Sequence, residues 1–373
     1  MPTAIDAYYL QAIGVALAII FAFSRDRKID FFPLIAVVAW LIGVCAIYYQ
    51  YGDNQVNFYS NDQDIHLRFI RFYIPEEGFD IRNVISLRYL ITYPAFILSK
   101  LGLNDVLILK AFQIISLLGI YFKSKQVLLP HVLNIKLWHF MFIASPLMFF
   151  FSLLALRDLT LALFTICLVF EKSVKRKGFY AALIFLLKPH LSIALIFGTL
   201  LLFGFRHLKS SLKHVYATIF ICLAYVCGSF SYSIGTYFKD FFFPGLPIEL
   251  FSQSKFFQIS LNFSGLQFFA LINEDNSVVA ESAGFLLIAR ILLFDTFLIP
   301  ITFVIACVFF LRQLRGSAFV ILSSFVFYLG LVSQTDFNST RQNIPFLAAM
   351  GIVAVANIEA ALRSRRKELL LRP

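Results

Sequence analysis

Residues Ser145–Phe170 read SPLMFFFSLLALRDLTLALFTICLVF, two apolar runs with Arg157-Asp158 between them. The runs have the apolar continuity of membrane helices, and the charged pair has almost no polar cover. An ionisable side chain beside a lipid-length apolar stretch is costly, roughly 2.5–3.5 kcal/mol at a helix centre. Such a pair is therefore read first as a site. The same motif recurs outward from this stretch: Lys188 and His190 in FLLKPHLSIAL, Arg290 and Asp295 in IARILLFDTF, Arg341 in FNSTRQNIPFL. A chain that keeps cations near its apolar segments has something anionic to hold.

The composition agrees. Of 373 residues, 60% are hydrophobic and 14% charged, against roughly 25% charged in ordinary soluble domains. The mean hydropathy is +0.82. Repeated apolar stretches near 17–25 residues argue for transmembrane helices. A barrel needs alternating strands of about ten residues, and these runs are continuous. The reading is all-α: a polytopic integral membrane helical bundle, a single domain over 1–373. The net charge of +11 belongs to short basic loops that set topology, so no nucleic-acid partner is expected. Cys45, Cys167, Cys222, Cys227 and Cys307 all fall inside apolar runs without metal-type spacing. They read as small buried residues. The first apolar run has its basic residues after it and reads as a retained helix, not a signal peptide.

Basic clusters orient the chain. Arg25, Arg27 and Lys28 follow the first helix; Lys172, Lys175, Arg176 and Lys177, then Arg206, Lys209 and Lys213, flank later ones. Placing all of them in the cytoplasm puts the N-terminus outside and the C-terminus inside. Spans are expected at about 7–23, 31–51, 105–122, 137–154, 157–171, 215–233, 295–311, 317–334 and 343–361. Residues 179–205 have basic flanks on both sides but are too short to cross a core of about 30 Å twice. Pro189 disfavours helix at Lys188, so a broken half-helix pair meeting at Lys188-Pro189-His190 is expected, in all about ten or eleven transmembrane helices. Two large external loops, about 52–104 and 234–294, complete the topology, the second with interfacial helices.

The candidate chemistry lies on this frame. Asp62-Gln63-Asp64 opens the first external loop, followed by His66, Arg68 and Arg71. Its carboxylates suit a general base or a metal, or simply a solvated acidic loop. Arg157 suits bidentate grip on phosphate, or snorkelling to the interface beside Asp158. Lys188 and His190 flank the kink as a cation pair. Arg341 sits at a helix start, whose dipole favours anions. Arg290 and Asp295 look more like a structural pair. No Walker A, HExxH or GxSxG motif occurs, and no cofactor is implied.

Four segments, NDQDIHLRFIRFYIPEEGF, SLLALRDLTLAL, LLKPHLSIAL and STRQNIPFL, give the chain its resemblance to bacterial polysaccharide polymerases. It resembles the Wzy-type O-antigen and EpsG-like membrane proteins, and more broadly the GT-C glycosyltransferases. EpsG-like proteins tend to carry Arg-Gln where this chain has Arg157-Asp158. The resemblance implies a bacterial inner-membrane enzyme that joins undecaprenyl-pyrophosphate-linked oligosaccharide repeat units into O-antigen or capsular polysaccharide. It implies membrane lipid, a chain-length regulator and a flippase as company. In that scheme Arg157, Arg341 and Lys188 hold pyrophosphate, with His190 assisting. Asp62 or Asp64 is the base, and Arg68 and Arg71 guide the acceptor. Two alternatives share the features: a GT-C enzyme using a polyprenyl-phosphate sugar donor, and a transporter or flippase for the lipid-linked glycan.

Overall fold

The computed structural model describes residues 4–24, 31–58, 62–132, 138–139, 143–206, 216, 219–220, 222–226, 295–311, 313–332 and 343–370. Among these residues all regular structure is helical. Three helical stretches, Phe31–Val56, Asp105–Leu128 and Ile344–Arg365, are long and apolar enough to cross a membrane. Five shorter apolar helices accompany them, among them Ala7–Phe23 and Arg315–Leu331. The described residues fall into two compact units, one from 4–123 with 144–163, the other from 124–143, 164–226 and 295–370.

In the first unit, α1 (Ala4–Ser24) packs on α2 (Phe31–Tyr51). Tyr8 stacks on Tyr48 with ring centroids 3.8 Å apart. Helix α6 (Asp105–Leu128) lies against both, through Phe23–Phe122 and Phe32–Tyr121 ring stacks. The region expected as an external loop over 52–104 is mostly helical. After a 3-10 turn at Gly52–Asn57 come α3 (Asp62–Arg68), a π-helical turn Phe69–Tyr73, α4 (Ile74–Glu77) and α5 (Tyr89–Lys100). The reason lies in its apolar residues. Leu67, Ile70, Ala95, Val106 and Leu109 close one buried cluster, and Ile74, Leu87 and Tyr89 another. A polar count over this region hides that stripe.

Within the expected span at 137–154 the longest helix among the described residues is α7 (Pro146–Ser152), seven residues long. Ser145 caps it, accepting the Met148 amide hydrogen at 3.4 Å, and Pro146 takes the first helical position, where its missing N–H costs nothing. The chain turns at Leu153–Leu156 and re-enters helix as α8 (Asp158–Phe170).

In the second unit, α9 (Val174–Leu187) and α10 (Pro189–Arg206) break at Lys188, which has φ −156° and ψ 86°. This is the expected kink, and its cause is the steric conflict of Pro189 with helical backbone before it. The Lys188 carbonyl accepts from Leu191 and Ser192, starting the new helix. Ser192 Oγ donates to the Ala181 carbonyl at 2.8 Å, so α10 folds back along α9. Helix α10 packs on α12 (Arg315–Val332), and α11 (Asp295–Phe309) on α13 (Ile344–Leu370). At Gly198 a Cβ would meet Ser324 Oγ at 2.1 Å and the Val320 carbonyl at 2.9 Å, so only glycine permits this approach. Every residue over 343–357 is buried, which suits an α13 that is apolar all round in its first half. Asn357, within it, brackets Gln313: its Oδ1 accepts the amide hydrogen at 2.8 Å and its Nδ2 donates to the carbonyl at 3.1 Å. The expected external loop at 234–294 and the span at 215–233 lie wholly or mainly outside the described residues.

Candidate functional site

The first unit carries a chain of buried polar side chains through apolar helices, centred on Ala155. Gln63, on α3, accepts the Ala155 amide hydrogen with Oε1 at 2.7 Å. Its Nε2 donates to the carbonyls of Val56 and Phe58 at 3.1 and 2.6 Å. One turn on, at the i,i+3 position, His66 Nδ1 lies 3.0 Å from the Ala155 carbonyl. Arg88 Nη1 lies 2.6 Å from His66 Nε2. A guanidinium only donates, so Nε2 is the acceptor, and the imidazole is neutral with its proton on Nδ1, given to Ala155. Both backbone groups of Ala155 are thus held by one face of α3.

Arg88 occupies the left-handed region, φ 55° and ψ 46°, as the residue before α5. That conformation is unfavourable for a long side chain. Its contact with His66, and the Phe69 ring 5.9 Å from its guanidinium carbon, accompany the strain.

On the far side of Arg157 the chain is pinned again. Gln113, on α6, accepts the Leu159 amide hydrogen at 3.2 Å and donates to Thr160 Oγ1 at 3.3 Å. Ser116 Oγ lies 3.0 Å from the same hydroxyl. The first amides of a helix have no partner within it, and Gln113 supplies one for α8. The Arg157 carbonyl accepts the first helical hydrogen bond, from Leu161 at 3.0 Å. Arg157 is therefore the half-buried residue at the head of α8, and Asp158, its first residue, is buried.

The remaining predicted residues are placed as follows. Asp62 opens α3. Asp64 pairs with Arg68 at 2.7 Å on the outer face of the same helix, an exposed pair worth less than about 1 kcal/mol. Arg71 makes a bidentate contact with Asp105 at 2.6 and 3.0 Å. These bonds raise its pKa above the ordinary value and tie the π turn to the head of α6. Lys188 and His190 belong to the second unit. Lys188 is half-buried with its ammonium 5.3 Å above the Tyr328 ring, a cation–π distance, and His190 is exposed. Asp295 opens α11; Arg341 and Arg290 lie outside the described residues. Among the described residues, no group of three or more His, Cys, Asp or Glu is arranged to hold a metal.

Several participants escaped the sequence reading. Lys110 is buried within α6, its ammonium donating to Gln55 Oε1 at 2.7 Å, an oxygen that Tyr8 OH also reaches at 3.2 Å. The signal was available: VLILKAFQII sets one lysine in an apolar run, as LLALRDLTL sets Arg157. Gln63, Gln55 and Gln113 carried no comparable signal, because a neutral amide scarcely changes hydropathy.

Comparison with known families, curated proteins and solved structures returned no match. Among the described residues, fold and site together define an all-helical frame with three helices long and apolar enough to cross a membrane and with buried polar side chains.

Proposed function

We propose that this protein is a multi-pass bacterial inner-membrane glycosyltransferase. It joins undecaprenyl-pyrophosphate-linked oligosaccharide repeat units into O-antigen or capsular polysaccharide. The observation that carries the reading is the double pinning around Arg157: Ala155 held by Gln63 and His66 on one side, Leu159 by Gln113 on the other. A guanidinium on a fixed backbone at a helix head suits a group that must meet developing negative charge without reorganising.

In the reaction, an acceptor hydroxyl oxygen bonds to the anomeric carbon of the donor glycan. The bond from that carbon to the pyrophosphate oxygen breaks, and undecaprenyl pyrophosphate leaves with the electron pair. Asp62 or Asp64 takes the hydroxyl proton, and Arg157 balances the charge on the leaving group.

The test is Arg157→Ala at normal membrane level. Loss of one preorganised charge-stabilising group typically costs about 10²–10³-fold in rate, so the polysaccharide ladder should collapse toward single repeat units. Unchanged chain length overturns the reading. A wild-type product of one added sugar points instead to a polyprenyl-phosphate-dependent transferase. Glycan crossing vesicles with no new glycosidic bond points to a transporter.

A further inference from the structure

Between α9 and α10, in the second unit, runs an apolar groove of about 610 Å³. The fold-back at Lys188 creates it. Its floor is Gly178, Ala181 and Ala182; a Cβ added at Gly178 meets nothing within 4 Å. Its walls include Phe185, Leu200 and Phe203, of which Leu200 is 61% and Phe203 45% exposed. The hydroxyls that touch it are already committed: Ser192 donates to the Ala181 carbonyl and Thr199 to the Leu195 carbonyl, each at 2.8 Å. The groove therefore offers an occupant dispersion contacts and apolar burial, with no hydroxyl proton to spare.

Its mouth is different. Lys177 lines the groove where α9 begins, within Glu171-Lys172-Ser173-Val174-Lys175-Arg176-Lys177. The segment carries four cations and one carboxylate. That carboxylate accepts the amides of Lys172 and Ser173 at 2.8 and 3.1 Å and sits 3.8 Å from Arg176. The segment keeps a positive excess beside the mouth of a groove whose long wall is hydrocarbon. An occupant with one apolar chain and a negatively charged head matches both ends.

We propose that the α9–α10 groove is a binding site for an anionic glycerophospholipid, with an acyl chain between the helices and the headgroup phosphate at Lys177, in the field of the neighbouring Lys175 and Arg176. Basic surface at a membrane boundary recruits anionic lipid in this way. A protein partner's helix would find no polar rim in the groove to pair with, and its backbone needs none of these cations. The inference does not depend on the sugar-transfer reading.

The full-length protein, stripped of lipid in detergent, is titrated with phosphatidylglycerol or phosphatidylcholine of identical chains and examined by native mass spectrometry. Wild type should retain one phosphatidylglycerol with about tenfold preference or more, as expected for several cations near one phosphate. Lys175→Ala/Arg176→Ala/Lys177→Ala should erase that preference. Ala182→Trp, which fills the groove from an exposed position, should weaken binding of both lipids by about tenfold. Gly178→Leu provides a second block in open space. Equal retention of the two lipids by wild type overturns the proposal. So does unchanged binding in both groove-filling variants with normal melting temperatures. Complete displacement of phosphatidylglycerol by equimolar undecaprenyl phosphate overturns it too, and assigns the groove to a carrier lipid.

Discussion

Gln63 Oε1 accepts the Ala155 amide hydrogen at 2.7 Å across 92 residues of sequence. With His66 on the Ala155 carbonyl, the bond fixes the turn that delivers Arg157 to the head of α8. Gln63 is therefore a positioning residue in the proposed reaction.

Gln63→Leu should cost about 1–3 kcal/mol of stability, since it leaves the buried Ala155 amide without its acceptor. Asp64→Ala, which removes only an exposed pair with Arg68, should cost less than about 1 kcal/mol. Thermal unfolding in detergent compares the two. Under the proposed function, Gln63→Leu also shortens the polysaccharide at equal membrane level.

The buried pair Lys110–Gln55 predicts an order of effects. Lys110→Met removes the group that needs a partner, and Gln55 Oε1 keeps the hydroxyl of Tyr8. The variant should be near neutral or stabilising. Gln55→Leu removes the acceptor of the buried lysine and should destabilise by about 1–3 kcal/mol. A double-mutant cycle read by thermal unfolding checks this: the double variant should recover most of the Gln55→Leu loss.

Gly198 and Gly43 separate two kinds of close approach. A Cβ at Gly43 meets the Leu153 methyl ends, at 2.7 Å for the nearer, and these can swing aside. A Cβ at Gly198 meets Ser324 Oγ and the backbone carbonyl of Val320, which cannot. Gly198→Ala should cost about 1–3 kcal/mol by forcing α10 from α12. Gly43→Ala should lower the melting temperature less.

Asp80 gives a pH signature. Hydrogen bonds from the Arg82 side chain and backbone hold its carboxyl below the ordinary carboxylate range. A depressed folded pKa means that the contribution of this cap is complete above the unfolded value, near about 4. It is lost as pH falls through the lower folded value. A carbon-13 NMR titration should place the Asp80 midpoint below that range, and Arg82→Ala should raise it. An unmoved midpoint refutes the assignment.

Much of the helical frame was legible because its causes are local. Continuous apolar runs predicted α1, α2, α6 and the helices at 295–309, 315–332 and 344–370. Pro189 predicted the break at Lys188, since a proline constrains its own neighbour whatever surrounds it. Where the expectation and the structure part, at 137–154, the cause is local: Ser145 and Pro146 start a new helix that ends at Ser152. The helices within 52–104 are too polar to stand out in a hydropathy profile and are held by Leu67, Ile70 and Ala95.

The sequence by itself therefore determined that the chain is helical, apolar enough to enter a membrane, and marked by costly charges at Arg157 and Lys188. Only the tertiary structure decided which distant side chains hold the backbone on either side of Arg157 and which acceptor meets Lys110. Gln63 and Ala155 lie 92 residues apart, Lys110 and Gln55 lie 55 apart, and Gln113 and Leu159 lie 46 apart. A buried hydrogen bond between distant residues leaves no trace in the composition around either one. It exists because burial makes an unsatisfied polar group expensive, and which partner satisfies it is settled only when the helices pack.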